Sequence, residues 1–421
     1  MDRAAGTLKG LLVKEYGLAS SDVFLQGSYP NRTVIEPVEG GEYDIDMVAV
    51  CVDQNVTGDV ALDDLEHRLA ADGRYKDRIV RKAPCVRLEY SEDDIGEFHV
   101  DVVPLHRPPG TDELFAPRRG SSWKQTAPRE YTEWCRNEGP RFARTVKILK
   151  RWRDEQQGVR DAIKSIVLQV LVERAMPDKD DDAVRIAATF RALHAELSPR
   201  SGPPNVPNPV LPFENLAASW PIQAFFGFVA ELAEAVELMI AIEATDDVAE
   251  AASRWQELLG SDFPVPTADE LGLKLLATDH AKGPESRGWT VSLDRGSSVL
   301  IIAHRMTKLR GRTMMLLQSN EPVPAGYDLR FKAVVTALYP VEVYWQVVNT
   351  GSEAESEPGG LRGEIFEAKA QAGGLSRNRA ENWESTKYKG CHEIRALLVA
   401  NNQVVAVSDY FKVPIFKGRQ R

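Results

Sequence analysis

Apolar positions follow three successive rhythms along the 421 residues. After a helical start, the first stretch alternates apolar and polar positions or gathers β-branched residues in brief runs. That pattern predicts strands at residues 23–26, 45–52, 86–90 and 99–105. From about residue 140 to 280 the apolar spacing becomes that of helices, at 141–156, 159–175, 184–197, 225–243 and 247–259, with Gly260 placed to cap the last. Beyond 288 short alternating runs return, at 289–293, 298–302, 327–338, 342–348, 394–399 and 404–413, which is the pattern of a β-sandwich.

Punctuation between these rhythms sets the expected domain limits. Six prolines fall within residues 199–212, a density that forbids regular helix and imposes an extended connector. Residues 281–288 (AKGPESRG) have linker composition, and 352–360 (SEAESEPGG) read as a solvated loop. The expectation is an α+β chain with a catalytic-type α/β region at 1–135, a helical region at 136–280 and a β-sandwich at 289–421, in keeping with the two or three domains that the length allows.

Composition narrows the class without naming it. With 43% hydrophobic and 27% charged residues the chain is an ordinary folded protein rather than a disordered or collagen-like one. Acidic residues outnumber basic ones 62 to 52, a net charge of -10, which argues against general nucleic-acid coating or an anionic membrane as the main partner. Cys51, Cys85, Cys135 and Cys391 are too scattered for a zinc knuckle or a disulfide framework. No apolar run suggests a signal peptide or a membrane span, so a cytoplasmic location is expected.

Three carboxylates carry the chemistry. In YDIDMV, Asp44 and Asp46 stand two apart in a strand and share one face, while Ile45 and Met47 point to the other. Neighbouring carboxylates resist ionising together unless a cation lies between them, although a D-x-D alone suits a solvated edge strand at least as well. Upstream, Gln26-Gly27-Ser28 ends an apolar strand in residues that let a backbone approach phosphate. Downstream, FHVDVVP sets Asp101 in an apolar strand, where a carboxylate needs a partner. If the two strands are neighbours, three carboxylates converge on two divalent ions, Mg2+ or Mn2+. His99 would share the face of Asp101, for packing or support. Within 141–156, Phe142, Ile148, Leu149 and Trp152 oppose a basic stripe of Arg144, Lys147, Lys150 and Arg151, which suits either solvent or nucleotide phosphates.

The combination of Gly27-Ser28, Asp44-x-Asp46 and Asp101 resembles the signature of the DNA polymerase β-like nucleotidyltransferases. GSYPNRT, YDIDMV and DVVP are similar, more narrowly, to the bacterial cGAS/DncV-like nucleotidyltransferases (CD-NTases) of CBASS anti-phage defence, relatives of oligoadenylate synthetase. The resemblance covers residues 1 to about 280. It implies a polymerase β-like sheet with a helical bundle, catalysis and metal binding by Asp44, Asp46 and Asp101, and nucleotide binding by Gln26, Gly27, Ser28, Lys147, Lys150, Lys164 and Ser165. It also implies ATP and other NTPs as substrates, a cyclic di- or oligonucleotide product acting on a separate effector, and regulatory proteins as further partners, with neither a membrane nor obligatory DNA. Trp123 and Pro128 resemble a segment walling the nucleotide pocket. One departure is Arg32, which precedes Thr33 where relatives often have glycine. WQVVNTG, LRG and ESTKYKGCH resemble the C-terminal AGS-C sensor domain, in which Trp345, Arg362, Tyr388 and His392 suit a small anionic or nucleotide ligand. A linear transferase acting on RNA and a ligand-binding pseudoenzyme are the rival readings.

Overall fold

The computed structural model describes residues 2–38, 43–52, 56–82, 84–93, 96–118, 122–156, 159–160, 162–266, 280–307 and 313–416. The chain divides into two compact units, Met1–Ala233 and Glu234–Arg421. The first contains α1 (Asp2–Tyr16), β1 (Val23–Gln26), β2 (Tyr43–Val52), α2 (Gly58–Ala71), β3 (Ile79–Arg81), β4 (Val86–Asp93), β5 (Gly96–His106), β6 (Leu114–Pro117) and β7 (Trp123–Thr126). Helices α3 (Pro128–Asn137), α4 (Gly139–Glu155), α5 (Ser165–Ala175), α6 (Asp182–Leu197) and α7 (Ile222–Glu243) follow, the division falling within α7.

Strand order in the first sheet is β1-β2-β5-β4-β3, with β6 on β5 and β7 on β6. Strands β2 and β5 run parallel and all the other pairs antiparallel. Alternation decides what each face carries. Ile45, Met47 and Ala49 of β2, Val86 and Leu88 of β4, and Val100 and Val102 of β5 bury against Leu8 and Leu12 of α1 and Leu62, Leu65 and Leu69 of α2. The intervening residues, Asp44, Asp46, Arg87, His99 and Asp101, therefore emerge on the opposite face. Behind them α4 buries Phe142, Val146, Leu149 and Trp152, the last edge-on to Phe190 and Phe228.

The helix expected at 159–175 begins only at Ser165. Arg153 takes the Ile163 carbonyl at 3.1 Å and the Ser165 hydroxyl at 3.0 Å. Lys164 is consequently the extended N-cap residue of α5.

In the second unit α8 (Val248–Leu259) precedes β8 (Thr290–Val291), β9 (Ser298–Met306), β10 (Met314–Leu317), β11 (Val323–Pro324), β12 (Asp328–Thr336) and β13 (Glu342–Thr350). Short α9 (Ser352–Ser356) is followed by β14 (Arg362–Phe366), β15 (Glu381–Ser385), β16 (Gly390–Ala400), β17 (Gln403–Val407) and β18 (Phe411–Phe416). One sheet has the order β10-β9-β12-β15; the other has β11-β18-β16-β13-β14, with β17 on β16 and β8 on β17. Their inner residues, among them Leu329, Phe331, Trp345, Ile394 and Leu398, form one core. The run expected as one strand at 404–413 is two, β17 and β18. The supposed loop at 352–360 contains α9, anchored by buried Ala354.

Two features of this unit were invisible as contacts in the sequence. Arg305, 1% exposed, donates from β9 to the Ser253 hydroxyl and, at 2.6 Å, to Gln256 of α8, while the Tyr327 hydroxyl bonds Glu257. The 281–288 segment is bonded onto the sandwich, Lys282 N–H to the Gly363 carbonyl at 3.0 Å and Gln346 Nε2 to the Lys282 carbonyl at 2.7 Å. Arg305→Ala should therefore destabilise the second unit by about 3 kcal/mol in denaturant unfolding, because it strips partners from buried polar groups. Exposed Lys332→Ala should change stability by less than about 0.5 kcal/mol.

Candidate active site

Parallel pairing of β2 with β5 sets Asp46 opposite Asp101 and Asp44 opposite His99. Antiparallel pairing sets Arg87 of β4 opposite Asp101, and Gln26 of β1 opposite Asp46. Six polar side chains thus occupy one patch of one sheet face. Arg87 grips Asp101 through two parallel bonds, Nε to Oδ1 at 2.8 Å and Nη2 to Oδ2 at 2.9 Å, and approaches Asp44 at 3.8 Å. His99 Nε2 faces the Asp44 carboxylate.

These contacts separate the acids electrostatically. Burial, followed by repulsion from Asp44 and Asp101, pushes Asp46 up to about 7. Asp44 is also disfavoured by burial, but His99, Arg87 and Lys150 outweigh that and hold its carboxyl below the usual range. Burial opposes charge on His99, and Asp44 overcomes it, keeping the imidazole above its ordinary value. One ligand atom from each of Asp44, His99 and Asp101 lies within 4.8 Å of the others, a spacing that admits a metal ion. Asp46 is not part of that trio but lies close enough to both acids to feel their charge. A divalent cation fits this set on two counts: the oxygen-rich donors suit Mg2+ or Mn2+, and an added positive charge relieves Asp46. An ionised carboxylate offers about four lone-pair sites, so the Arg87 grip leaves Asp101 able to ligate.

Beside the acids opens a cavity of about 480 Å3, lined by Gln26, Gly27, Ser28, Asp44, Asp46, Pro128, Lys150 and Ser165 together with Tyr131, Gln169, Asn208 and Glu214. The turn after β1 forms part of its wall and is held from several helices. Asn31 accepts from Thr132 of α3 at 2.8 Å, Pro30 from Arg136 at 3.0 Å, the Thr33 carbonyl from Lys150 of α4 at 2.9 Å, and the Thr33 hydroxyl from Gln169 of α5 at 3.4 Å. Gly27 has φ +77°, and a Cβ there would lie 2.1 Å from Asp46 Oδ2. Only glycine meets both conditions. Arg32 adopts φ 60°, the left-handed conformation that glycine usually supplies, so the turn keeps that backbone despite the substitution.

The basic residues anticipated from the sequence separate. Lys150, 7% exposed, lines the cavity, and burial lowers its ammonium to about 8. Lys164 lies outside the lining and bonds the Ser219 hydroxyl at 2.9 Å. Lys147 is half-buried and also outside it. Arg144 pairs with Asp182 at 3.5 Å and Arg151 with Glu155 at 2.6 Å, so they form no continuous stripe along the cavity. Pro128 lines the cavity, whereas Trp123 packs on His106 and donates to the Val56 carbonyl at 3.2 Å. The proline-rich connector supplies Asn208 to the wall, and the residues just after it supply Glu214 and Leu216; Asn208 Nδ2 donates to Glu214 at 2.7 Å, and Glu214 also pairs with Lys124. Arg87 and Glu214 escaped the sequence reading. Arg87 alternates out of register with its apolar neighbours Val86 and Leu88, a signal that becomes readable once β4 is known to flank β5.

A curled sheet carrying paired acids on one strand and a third on its parallel neighbour, with helices closing a cavity above them, is the arrangement of a polymerase β-like nucleotidyltransferase. Residues 3–138 match the family profile described as the Second Messenger Oligonucleotide or Dinucleotide Synthetase domain, and residues 278–416 match the Adenylyl/Guanylyl and SMODS C-terminal sensor domain. The chain thus combines a second-messenger synthetase domain with a C-terminal sensor domain, each matched over about a third of its length. It is 24% identical over 245 residues to a c-di-GMP synthase of Roseivirga ehrenbergii, the match covering 49% of this chain and 62% of that protein. The chain thus spans less than two thirds of that relative. In fold it is similar to the CD-NTase CdnG of Bradyrhizobium diazoefficiens in complex with GTP (TM-score 0.50, 17% identity, 62% of this chain and 90% of that one). It is also similar to CdnC of E. coli MS115-1 in complex with HORMA-deltaN (TM-score 0.51, 17% identity, 62% and 91%). Among the described residues no helix is long and apolar enough to cross a membrane.

Two outcomes follow from the acid cluster. Gly27→Ala should cost about 1–3 kcal/mol of stability through backbone strain, read as a lower Tm. Because the Asp46 carboxyl is raised when folded, the contribution of this group to the stability of the metal-free protein falls as pH rises from about 4 through about 7. The Tm advantage of Asp46→Asn over the natural chain in EDTA should therefore grow between pH 5 and 8, and adding Mg2+ should shrink it; a gap independent of pH would contradict the electrostatic account.

Proposed function

We propose that this protein joins nucleoside triphosphates, ATP among them, into a cyclic di- or oligonucleotide with release of pyrophosphate. The observation that carries the reading is that Asp44 and Asp46 line a cavity walled by the Gly27-Ser28 turn and Lys150, while Asp101, outside that lining, lies opposite Asp46 on the neighbouring strand. Asp44, Asp46 and Asp101 would hold Mg2+ or Mn2+, two ions in the full reading. When bound, the ions activate the attacking hydroxyl and neutralise charge on the departing pyrophosphate.

The protein's own groups do the positioning. Arg87 fixes the plane of the Asp101 carboxylate, and His99 fixes Asp44. Gly27 and Ser28 bring backbone and hydroxyl donors to the donor phosphates, as the backbone can approach closely only where no Cβ intervenes. Lys150 adds positive charge at the cavity wall while anchoring the turn through Thr33. Ser165, at the N-terminus of α5, contributes a hydroxyl and the positive end of the helix. Lys147 and Lys164 would meet phosphate only through side chains that turn from their present positions. Gln26 borders the cavity next to Asp46.

The domain composition supports a cytoplasmic role in CBASS anti-phage defence, the product acting on a separate effector protein and synthesis answering to regulatory proteins. Purified protein incubated with labelled NTPs and Mg2+ or Mn2+, with and without RNA, and then treated with phosphatase tests this directly. A phosphatase-resistant small product is expected; extension of the RNA, or no product under any condition, would refute the reading. Asp46→Asn should lower turnover at least ~100-fold while remaining folded. Lys150→Ala should lower kcat/KM by a factor corresponding to about 1–3 kcal/mol, mainly through KM, whereas Lys164→Ala should have the smaller effect.

A further inference from the structure

The second unit holds a small cavity of about 160 Å3 between the ends of β13, β15 and β16, lined by Asn349, Arg362, Glu384, Lys387, Tyr388 and His392 among others. Two of its side chains have polar atoms with no protein partner among the described residues: Asn349 Oδ1 and His392 Nε2. Asn349 is 8% exposed and His392 3%, so each faces the full penalty of an unsatisfied buried group unless something in the cavity bonds it. The Asn349 amide is not free to flip, because its Nδ2 donates to the Gly360 carbonyl at 2.7 Å. Its oxygen therefore presents an acceptor that needs an O–H or N–H from outside the chain.

Charge around the cavity is unbalanced toward positive. Glu384, its one acid, is bound by Arg362 Nη1 at 2.6 Å, by the Asn382 amide at 3.1 Å and by Lys369 at 3.8 Å. Lys387 adds a further cation at the rim, its ammonium 4.8 Å from the Tyr388 ring centre. Of the lining residues, two are cations, Arg362 and Lys387, and one is a carboxylate, with Lys369 outside the lining also drawn to Glu384 and Glu357 acting on Lys387; His392 is neutral, held there by burial. Backbone strain is concentrated here as well. Arg362 has φ 58°, costly for a side-chain-bearing residue, and is followed by Gly363 at φ 121°. Residue 362 is thereby held with its guanidinium on Glu384.

Size then selects the ligand. At about 30 Å3 per water the space holds roughly five waters, too little for a nucleotide. Trp345, expected to contribute a stacking surface, is instead fully buried in the sandwich core and donates to the Arg379 carbonyl at 2.9 Å.

We propose that this cavity binds a compact oxyanion that carries an O–H, with free hydrogen phosphate as the best match. Its anionic oxygens meet Arg362, Lys387 and the His392 ring N–H, and its O–H donates to Asn349 Oδ1. The inference is independent of the catalytic reading, since all of its residues lie in the second unit.

Titration calorimetry on the full chain in EDTA tests it, with inorganic phosphate, sulfate and glycerol phosphate as probes. Phosphate should bind saturably and about tenfold more tightly than sulfate, which at neutral pH has no O–H to give Asn349. Lys387→Ala, an exposed substitution that leaves the core intact, should weaken phosphate about tenfold, and Asn349→Leu should reduce it to the level of sulfate. Glycerol phosphate, at neutral pH mostly a dianion without a phosphate O–H, should bind more weakly than phosphate, and equal binding would overturn the role given to Asn349. The proposal is overturned if phosphate shows no saturable binding in the millimolar range, if sulfate matches it, or if Lys387→Ala binds it unchanged. Loss of nucleotide synthesis in Asp46→Asn with phosphate binding retained would separate the two sites.

Discussion

Mutual repulsion among Asp44, Asp46 and Asp101 is the constraint around which the first unit is built. Parallel pairing forces these acids together, and the surrounding residues each answer part of the resulting field. Arg87 takes both oxygens of Asp101, His99 leans on Asp44, and Asp46 is left with a carboxyl that ionises only near neutrality. A patch left in that condition favours cations strongly and selectively, because relief of repulsion is available to a metal and to little else.

The same field explains why the walls are cationic and why they are so firmly tied. Lys150 sits almost wholly buried, an unfavourable place for an ammonium, and it remains there because the Thr33 carbonyl accepts its hydrogen bond and Asp154 and then Asp44 attract its charge. By anchoring Thr33 it also fixes the turn whose glycine grazes Asp46. Phosphate-binding wall and acidic floor are therefore mechanically one object, and disturbance of α4 or α5 would reach the acids through that turn.

How much of this could be read beforehand depended on whether the signal was local. Strand β1 was readable to its ends, and the D-x-D alternation assigned a face to Asp44 and Asp46, because both depend only on neighbouring residues. Arg87 was not readable: its importance lies in lateral pairing with β5, which no local pattern encodes. Lys147 and Lys164 illustrate the converse. A helical wheel grouped Lys147 with Lys150, yet only Lys150 turns into the cavity, because packing of Trp152 on Phe190 and Phe228 sets the rotation of α4. Delayed onset of α5 likewise moved Lys164 to a cap. In the second unit, composition marked 281–288 as a linker, while its hydrogen bonds tie it to β13 and β14. Connector composition reports what a segment can tolerate, not what it touches.

The parallel register of β2 and β5 also has a consequence in time. Parallel neighbours cannot be joined by a tight hairpin, and here α2, β3 and β4 intervene before Asp101 can lie beside Asp46. Closing such a long loop is slow relative to forming the local β4–β5 hairpin. On a growing chain Asp44 and Asp46 emerge first and remain uncrowded until β5 docks between β2 and β4, and the wall from the proline-rich connector comes later still. A ribosome-bound chain thus passes through a long interval in which most of the acidic floor has been synthesised but the enclosing cavity has not. The order of synthesis by itself withholds a formed site until the first unit is nearly complete.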